Sequence, residues 1–350
     1  MPIKSIEEIT EAKEQSRIKL KALYQMITDL AEQIVPIYDV IENYFFQDVD
    51  YQKLKYLIPT WMVEAGQSPE SLMTKGEYEQ ARLIYNDSLS NRIIHWADVQ
   101  ILLTALQDRV MAVNNYLLEI YHYLPSYCLY DDCDYKSSTR EMNDTSDKVH
   151  TAANNVFVSL CSSFDLFTKI VYECAQYNIE EFDKYKKLKC RRNNILYKKG
   201  NYGFEELKVE GLLYSEPVCI RTFCSFRDEF IHNGAWDYRC AIYYPIVDGV
   251  LIEPFVLMPD FDENGILVSS GSRNKFYTRS KKLNVELPGL VKDVILVLAN
   301  TLTAFKDILI NRTDGNDKGV ATREAIKILM RNYELFIKAI IGDDIVTSKE

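Results

Sequence analysis

Between His150 and Tyr177, large apolar side chains recur every three or four positions, at Phe157, Leu160, Cys161, Phe164, Phe167, Val171 and Cys174. On a helix of 3.6 residues per turn they form one face, with Ser162, Asp165, Lys169, Tyr172 and Gln176 on the other. A segment this long with one apolar side must bury it, and packing against other helices is the usual solution. The same period appears in residues 5–47, at Leu20, Leu23, Tyr24, Ile27, Leu30 and Ile34, with a break expected at Pro36. It appears again in residues 76–123, expected in two pieces that part near 87–91, and from Pro288 to Asn311. A last helix is expected from Thr322 to Ile341, striped by Ile326, Leu329, Met330, Tyr333, Phe336, Ile337 and Ile340. The fold class expected is all-α.

One stretch breaks the period. CAIYYPIV, GVLIEPFVLM and GILVSS are short β-branched and aromatic runs, punctuated by Asp248-Gly249 and Asn264-Gly265. They predict a small antiparallel β insertion, a meander at about 239–287. Residues 131–147 are polar and nearly free of aliphatics, which reads as a linker. The expected organisation is therefore an N-terminal helical module over 1–130 and a polar linker over 131–149. A helical domain over 150–312 carries the meander, and an amphipathic helix follows over 319–342.

Net charge is −10, so the molecule as a whole is no non-specific polyanion binder, and nucleic-acid contact requires a local patch. No N-terminal apolar signal segment is read in the first residues. The longest apolar run, Val294 to Phe305, is too short to span a bilayer, so no membrane role is expected. Eight scattered cysteines with no Cys-x-x-Cys fit a reducing cytoplasm and give no metal-ligand spacing. P-loop, dinucleotide-binding glycine and HExxH patterns are absent, and no cofactor is implied.

The segment Glu216 to Gly234 is read as a helix, with Pro217 suited to its first turn and Gly234 to its C-terminal cap. Its apolar arc is built from Cys219, Ile220, Phe223, Cys224, Phe226, Phe230 and Ile231, and Arg227 falls inside it. A guanidinium on an inward face is costly unless it is paired or holds an anion. His232 closes the same segment, about 140° round the helix from Arg227. The two converge only if the helix end distorts or if a second copy of the helix supplies the partner.

Arg227, four residues, then His232, with polar Asp228 after the arginine, Asn233-Gly234 after the histidine and long helices on either side, resembles the HEPN superfamily. The resemblance covers about residues 150–312 and implies a HEPN-like helical bundle. Many members of that family are metal-independent ribonucleases of bacterial toxin, CRISPR and anti-phage systems, and they work as dimers. It implies RNA as substrate, a homodimer, and an antitoxin or defence-system protein as a further partner. His232 would move the protons of 2′-hydroxyl attack and Arg227 would meet charge on the phosphoryl oxygens, with catalysis confined to those two residues. Asp165, Asp228 and Asn233 are candidates to orient them. The chain departs from the family in two places: Asp228 stands where asparagine is common, and Gly234 stands where a toxin subgroup has a modified tyrosine.

A second feature is KYKKLKCRRNNILYKK, in which Lys184, Lys186, Lys187, Lys189, Arg191, Arg192, Lys198 and Lys199 occur with no acid. Such density in an acidic chain marks a polarised surface, and Tyr185 and Tyr197 are placed among the charges as candidates to stack on bases. A solvated loop is the plainer account. A smaller patch holds Arg273, Lys275, Arg279, Lys281 and Lys282 around Phe276 and Tyr277. His95, His122 and His150 have no partner at ligand spacing and are read as structural. The alternative to a ribonuclease is a non-catalytic binding or scaffold module for nucleic acid, nucleotide or a protein. In that case Arg227 pairs with a carboxylate such as Asp165, and His232 caps its helix. Whether the last helix folds onto its own chain or joins two protomers stays open at this point.

Overall fold

The computed structural model describes residues 6–124, 138–184, 187–199, 203–233, 240–247, 250–251, 254–278, 281–313 and 318–341. Its helices are α1 (Ile6–Phe45), α2 (Thr60–Val63), α3 (Lys75–Ile84), α4 (Ser88–Tyr123), α5 (Asp144–Ala175), α6 (Lys189–Arg192), α7 (Val218–Asn233), α8 (Leu283–Arg312) and α9 (Gly319–Ile341). The strands are β1 (Ser138–Glu141), β2 (Ile242–Val247) and β3 (Val250–Leu251), in one antiparallel sheet of order β1-β2-β3. The fold is all-α with a small β element.

Contacts divide the chain into two compact units. One contains Met1–Ile34, Ala105–Asp165 and Glu205–Ala304; the other contains Val35–Thr104, Leu166–Phe204 and Phe305–Glu350. Residues of α1, α4, α5 and α8 fall in both units, because helices this long have apolar stripes that run past any single core.

In the first unit, α5 and α7 meet through phenylalanines. Phe157 lies 4.7 Å from Phe223 and stacks on Phe226 at 4.9 Å between ring centroids. All three are fully buried, each ring removing about 2–3 kcal/mol worth of apolar surface from water. Helix α5 starts six residues before its expected first residue, within the expected linker, because Asn143 caps it: its side-chain oxygen accepts from the amides of Thr145 and Ser146. Just before it, 138–141 pairs with β2, Ser138 opposite Pro245 and Glu141 opposite Ile242. The expected linker is thus partly strand and partly helix; residues 131–137, with Cys133, lie outside the described residues, as does Cys128.

The expected breaks at prolines are not found. Helix α1 passes through Pro36, since Ile34, Ile37, Ile41 and Phe45 prolong one buried stripe, whose burial outweighs the roughly 3 kcal/mol cost of an internal proline. Helix α8 opens at Leu283 rather than at Pro288. Pro288 has no N–H to give the carbonyl four residues back, at Asn284, and that carbonyl instead accepts from the Tyr121 hydroxyl at 3.1 Å. Among the described β segments only β2 and β3 form a hairpin. The rest of the meander is held by isolated bridges such as Tyr243–Phe255, Leu257–Lys282 and Phe261–Leu267.

In the second unit, Phe45 stacks on Tyr177 at 4.4 Å, and the Tyr177 hydroxyl donates to the Phe45 carbonyl. Arg92 grips Asp48 with two bonds of 2.8 and 3.1 Å. Helix α9 folds onto its own chain: Phe336 packs on Trp61 at 4.9 Å and on Tyr85, Asn332 donates to Asp87, and Thr322 accepts from the Asp50 amide. The expected stripe is divided by this docking, with Leu329 and Phe336 buried while Met330 and Tyr333 stay exposed. The Ile340 side chain lies outside the described ones. His150 and His95 are both buried, in α5 and α4. His95 is edge-on to Phe182, with its Nε2 3.7 Å from Glu173, and Glu173 in turn accepts from the Cys190 amide. That pairing joins residues far apart in sequence, which spacing alone does not show.

Burial, helped by the Lys189 charge, pushes His95 down from 6.5 to about 4. A histidine depressed on folding contributes stability that is intact above its unfolded value and is lost as pH falls from 6.5 towards 4. Glu173 has the opposite sign: burial holds its pKa up, and its contribution is lost as pH rises through the folded value. The wild type should therefore lose roughly 3 kcal/mol through His95 between pH 6.5 and 4, and His95→Gln should show a flatter dependence. Urea titrations across that range measure this; identical slopes for the two proteins would refute it.

Candidate active site

Helix α7 begins at Val218, with Glu216 in a left-handed conformation (φ 53°) just before Pro217. Ile220, Phe223, Cys224 and Phe226 fill its buried side. Arg227 lies in that arc, as the periodicity implies, and its side chain remains 27% exposed although its Nε is buried. Burial opposes its charge, but Cys161, Asp228, Cys224 and Asp165 together hold its pKa above the ordinary arginine value. Burial also pushes the Cys161 thiol far up, so it is a neutral neighbour, and Asp228 and Asp165 are the anions.

Asp228 Oδ1 stands 3.3 Å from Arg227 Nε. The approach is outside hydrogen-bond alignment, so the buried Nε–H has an ion-pair partner and no hydrogen-bond acceptor. His232 sits in the last turn and is exposed. Helix α7 remains α-helical to Asn233, so Arg227 and His232 keep different faces of one chain. Asn233 gives its amide to Glu229 at 2.9 Å rather than to the histidine, and Gly234 lies outside the described residues.

Glu229 is a residue that the sequence reading missed. It is buried, paired with Lys275 at 2.8 Å; burial raises its pKa, but the bonds from Lys275 and Asn233 outweigh that and hold it low. Its partner comes from the basic patch of the meander, and most of that patch proves structural. Lys281 lies 4.5 Å over Phe261 and 3.5 Å from Glu286, while Lys282 is buried over Phe255. Arg279 lies outside the described residues. An acid two residues after the arginine and a lysine far along the chain were the available signal, but pairing at that separation needs the fold.

The stretch 184–199 belongs to the second unit and Arg227 and His232 to the first. Lys184, Lys187, Arg191, Arg192, Lys198 and Lys199 are exposed. Lys189 is committed, to Glu181 at 3.1 Å and to the Gln176 carbonyl at 2.8 Å. Tyr197 is buried with Leu188 and Ile195, so it offers no face for a base, contrary to expectation. These apolar residues anchor the loop and leave its cations outside. Lys186 and Tyr185 lie outside the described residues. Among the described residues no group of three histidines, cysteines or carboxylates is placed to hold a metal ion.

The meander is seated on α7 at a close contact. Gly265 has φ +78°, and a Cβ there would come 2.3 Å from Thr222 Oγ1 and 2.7 Å from the Val218 carbonyl. Both oxygens are fixed, because Thr222 donates to Val218. Gly265→Ala should therefore lower stability by about 1–3 kcal/mol and speed proteolysis of the 262–266 turn. A melting midpoint equal to the wild type's would refute the close approach.

Compared with protein-family models, with curated proteins and with solved structures, the chain matches none of them.

Proposed function

We propose that this protein is a metal-independent endoribonuclease of bacterial anti-phage defence or toxin type, working at a site that two copies of α7 complete. The observation that carries the reading is on one helix: a half-buried arginine whose Nε–H lacks a hydrogen-bond acceptor, and an exposed histidine near the helix end, round the other side. An arginine that keeps 27% of its side chain in solvent beside an apolar face is suited to phosphate, whose oxygens match the fork of a guanidinium. Histidine titrates near neutrality and can take the 2′-hydroxyl proton or return one to the departing 5′-oxygen. The 2′-oxygen attacks phosphorus as the bond to the 5′-oxygen breaks, leaving a 2′,3′-cyclic phosphate and a 5′-hydroxyl. Because Arg227 and His232 face apart on one helix, the arginine of one copy works with the histidine of the other. The exposed cations of 184–199 add salt-dependent grip on RNA.

A scaffold role is favoured by one observation, the Arg227–Asp228 ion pair, which already satisfies the arginine's charge. The variants separate the readings. With EDTA present, wild type should cleave RNA, and His232→Ala and Arg227→Ala should each lower the rate by about a hundredfold or more. Equal cleavage by all three, or a strict need for added Mg²⁺, sinks the assignment. Asp228→Asn should free Arg227 for phosphate and lower KM several-fold without loss of kcat; a fall in kcat would instead make Asp228 a positioning residue. Sedimentation at micromolar concentration should give a dimer, and a clean monomer removes the two-copy site.

A further inference from the structure

Beside α7, in the same unit, three extended segments of the meander form an open cleft that no proposed catalytic step uses. The central segment, 258–262, pairs on one side with 266–270 through the Val268 amide and the Asp260 carbonyl. On the other side it pairs with 276–278 and 281–282, through the Asp260 amide to the Phe276 carbonyl and the Met258 amide to the Lys281 carbonyl. Asp260 is buried at the base, where both its oxygens accept from Thr278, so its carboxylate serves to hold the segments together. The walls are Phe261, Phe276, Val268 and Lys281, with the hydroxyl residues Ser269 and Ser270 at the edge.

Three features give the cleft a chemical preference. Phe276 leaves 38% of its surface in water although it borders a packed segment, so an aromatic ring is open to a flat ligand. The Lys281 ammonium, 3.5 Å from Glu286, stands over the Phe261 ring at 4.5 Å, and Arg273 is exposed at the neighbouring 270–273 turn. Ring faces flanked by cations are complementary to a planar base joined to a phosphate chain. The cleft is also built onto the candidate active site. Phe261 meets Phe226, the residue before Arg227, at 6.0 Å between ring centroids, and Lys275, one residue from Phe276, holds Glu229.

We infer that this cleft is a base-binding subsite, in which an unpaired nucleobase of single-stranded RNA stacks on Phe276 beside Lys281. The inference rests on the reading of the protein as an RNA-cleaving enzyme and deepens it. A base held there fixes the strand on the meander, attached to the helix that carries Arg227 and His232. It also makes unpaired RNA, rather than duplex, the substrate class, because a base within a duplex presents no free face.

The test separates binding from cleavage. In the His232→Ala background, with EDTA present, a fluorescein-labelled single-stranded RNA is titrated and followed by anisotropy, and an abasic strand of equal length is titrated alongside. Phe276→Leu keeps apolar bulk but removes the ring, and it should weaken binding of the RNA by about tenfold. Phe276→Tyr should bind like the parent, and the abasic strand should bind the parent and the leucine variant equally. Melting midpoints confirm that the variants are folded. The proposal is overturned if the leucine variant binds RNA like the parent, if it loses the same factor on the abasic strand, or if the parent binds no RNA. The ribonuclease reading stands or falls separately, on cleavage by the wild type.

Discussion

The stacking of Phe157 on Phe226, with Phe223 against the same ring, seats α7 on α5, and nearly everything of chemical interest follows from that contact. It turns one side of α7 inward, and the next residue after Phe226 is an arginine. A guanidinium placed there cannot be fully solvated and is not fully enclosed, so its stem packs while its head seeks an anion. The meander depends on the same helix: Phe261 rests on Phe226, Lys275 on Glu229, and the turn at Gly265 on Thr222. Helix α7 thus carries the arginine and supports the segments that form the aromatic cleft.

What could be read from the sequence was what has a period. The face of α5, the apolar arc of α7 with an arginine inside it, and the amphipathic α9 all follow from three- and four-residue spacing, and the structure has them in part, with Ile231 of α7 and Met330 and Tyr333 of α9 exposed. What could not be read depends on partners distant in the chain. Glu229 reads as an ordinary surface acid until Lys275 is brought to it, and Tyr197 reads as a base-stacking ring until the apolar residues of its loop enclose it. Segment 138–141 has the composition of a linker and becomes a strand because β2 offers it an edge. Prolines misled for a related reason: a local penalty of a few kcal/mol does not end a helix whose buried stripe continues.

The second unit has a different chemical character. His95 and Glu173 face each other inside an aromatic shell of Phe45, Phe182 and Tyr177, and Glu173 fastens the amide at the start of the basic α6. Burial opposes charge on both partners, pushing the His95 pKa down to about 4 and that of Glu173 up. The loop whose cations are exposed is therefore anchored by a buried pair whose charging burial opposes, while its rim remains strongly basic.

The bond between Tyr121 and Asn284 has a consequence for how the first unit assembles. A helical carbonyl normally closes its bond locally, as soon as the next turn forms, and Pro288 removes that option. The Asn284 oxygen must stay hydrated until α4 arrives from 163 residues away in sequence. The proline thus exchanges an early, local interaction for a late one of high sequence separation, and the start of α8 reaches its final hydrogen bonding only when the distant helix has docked.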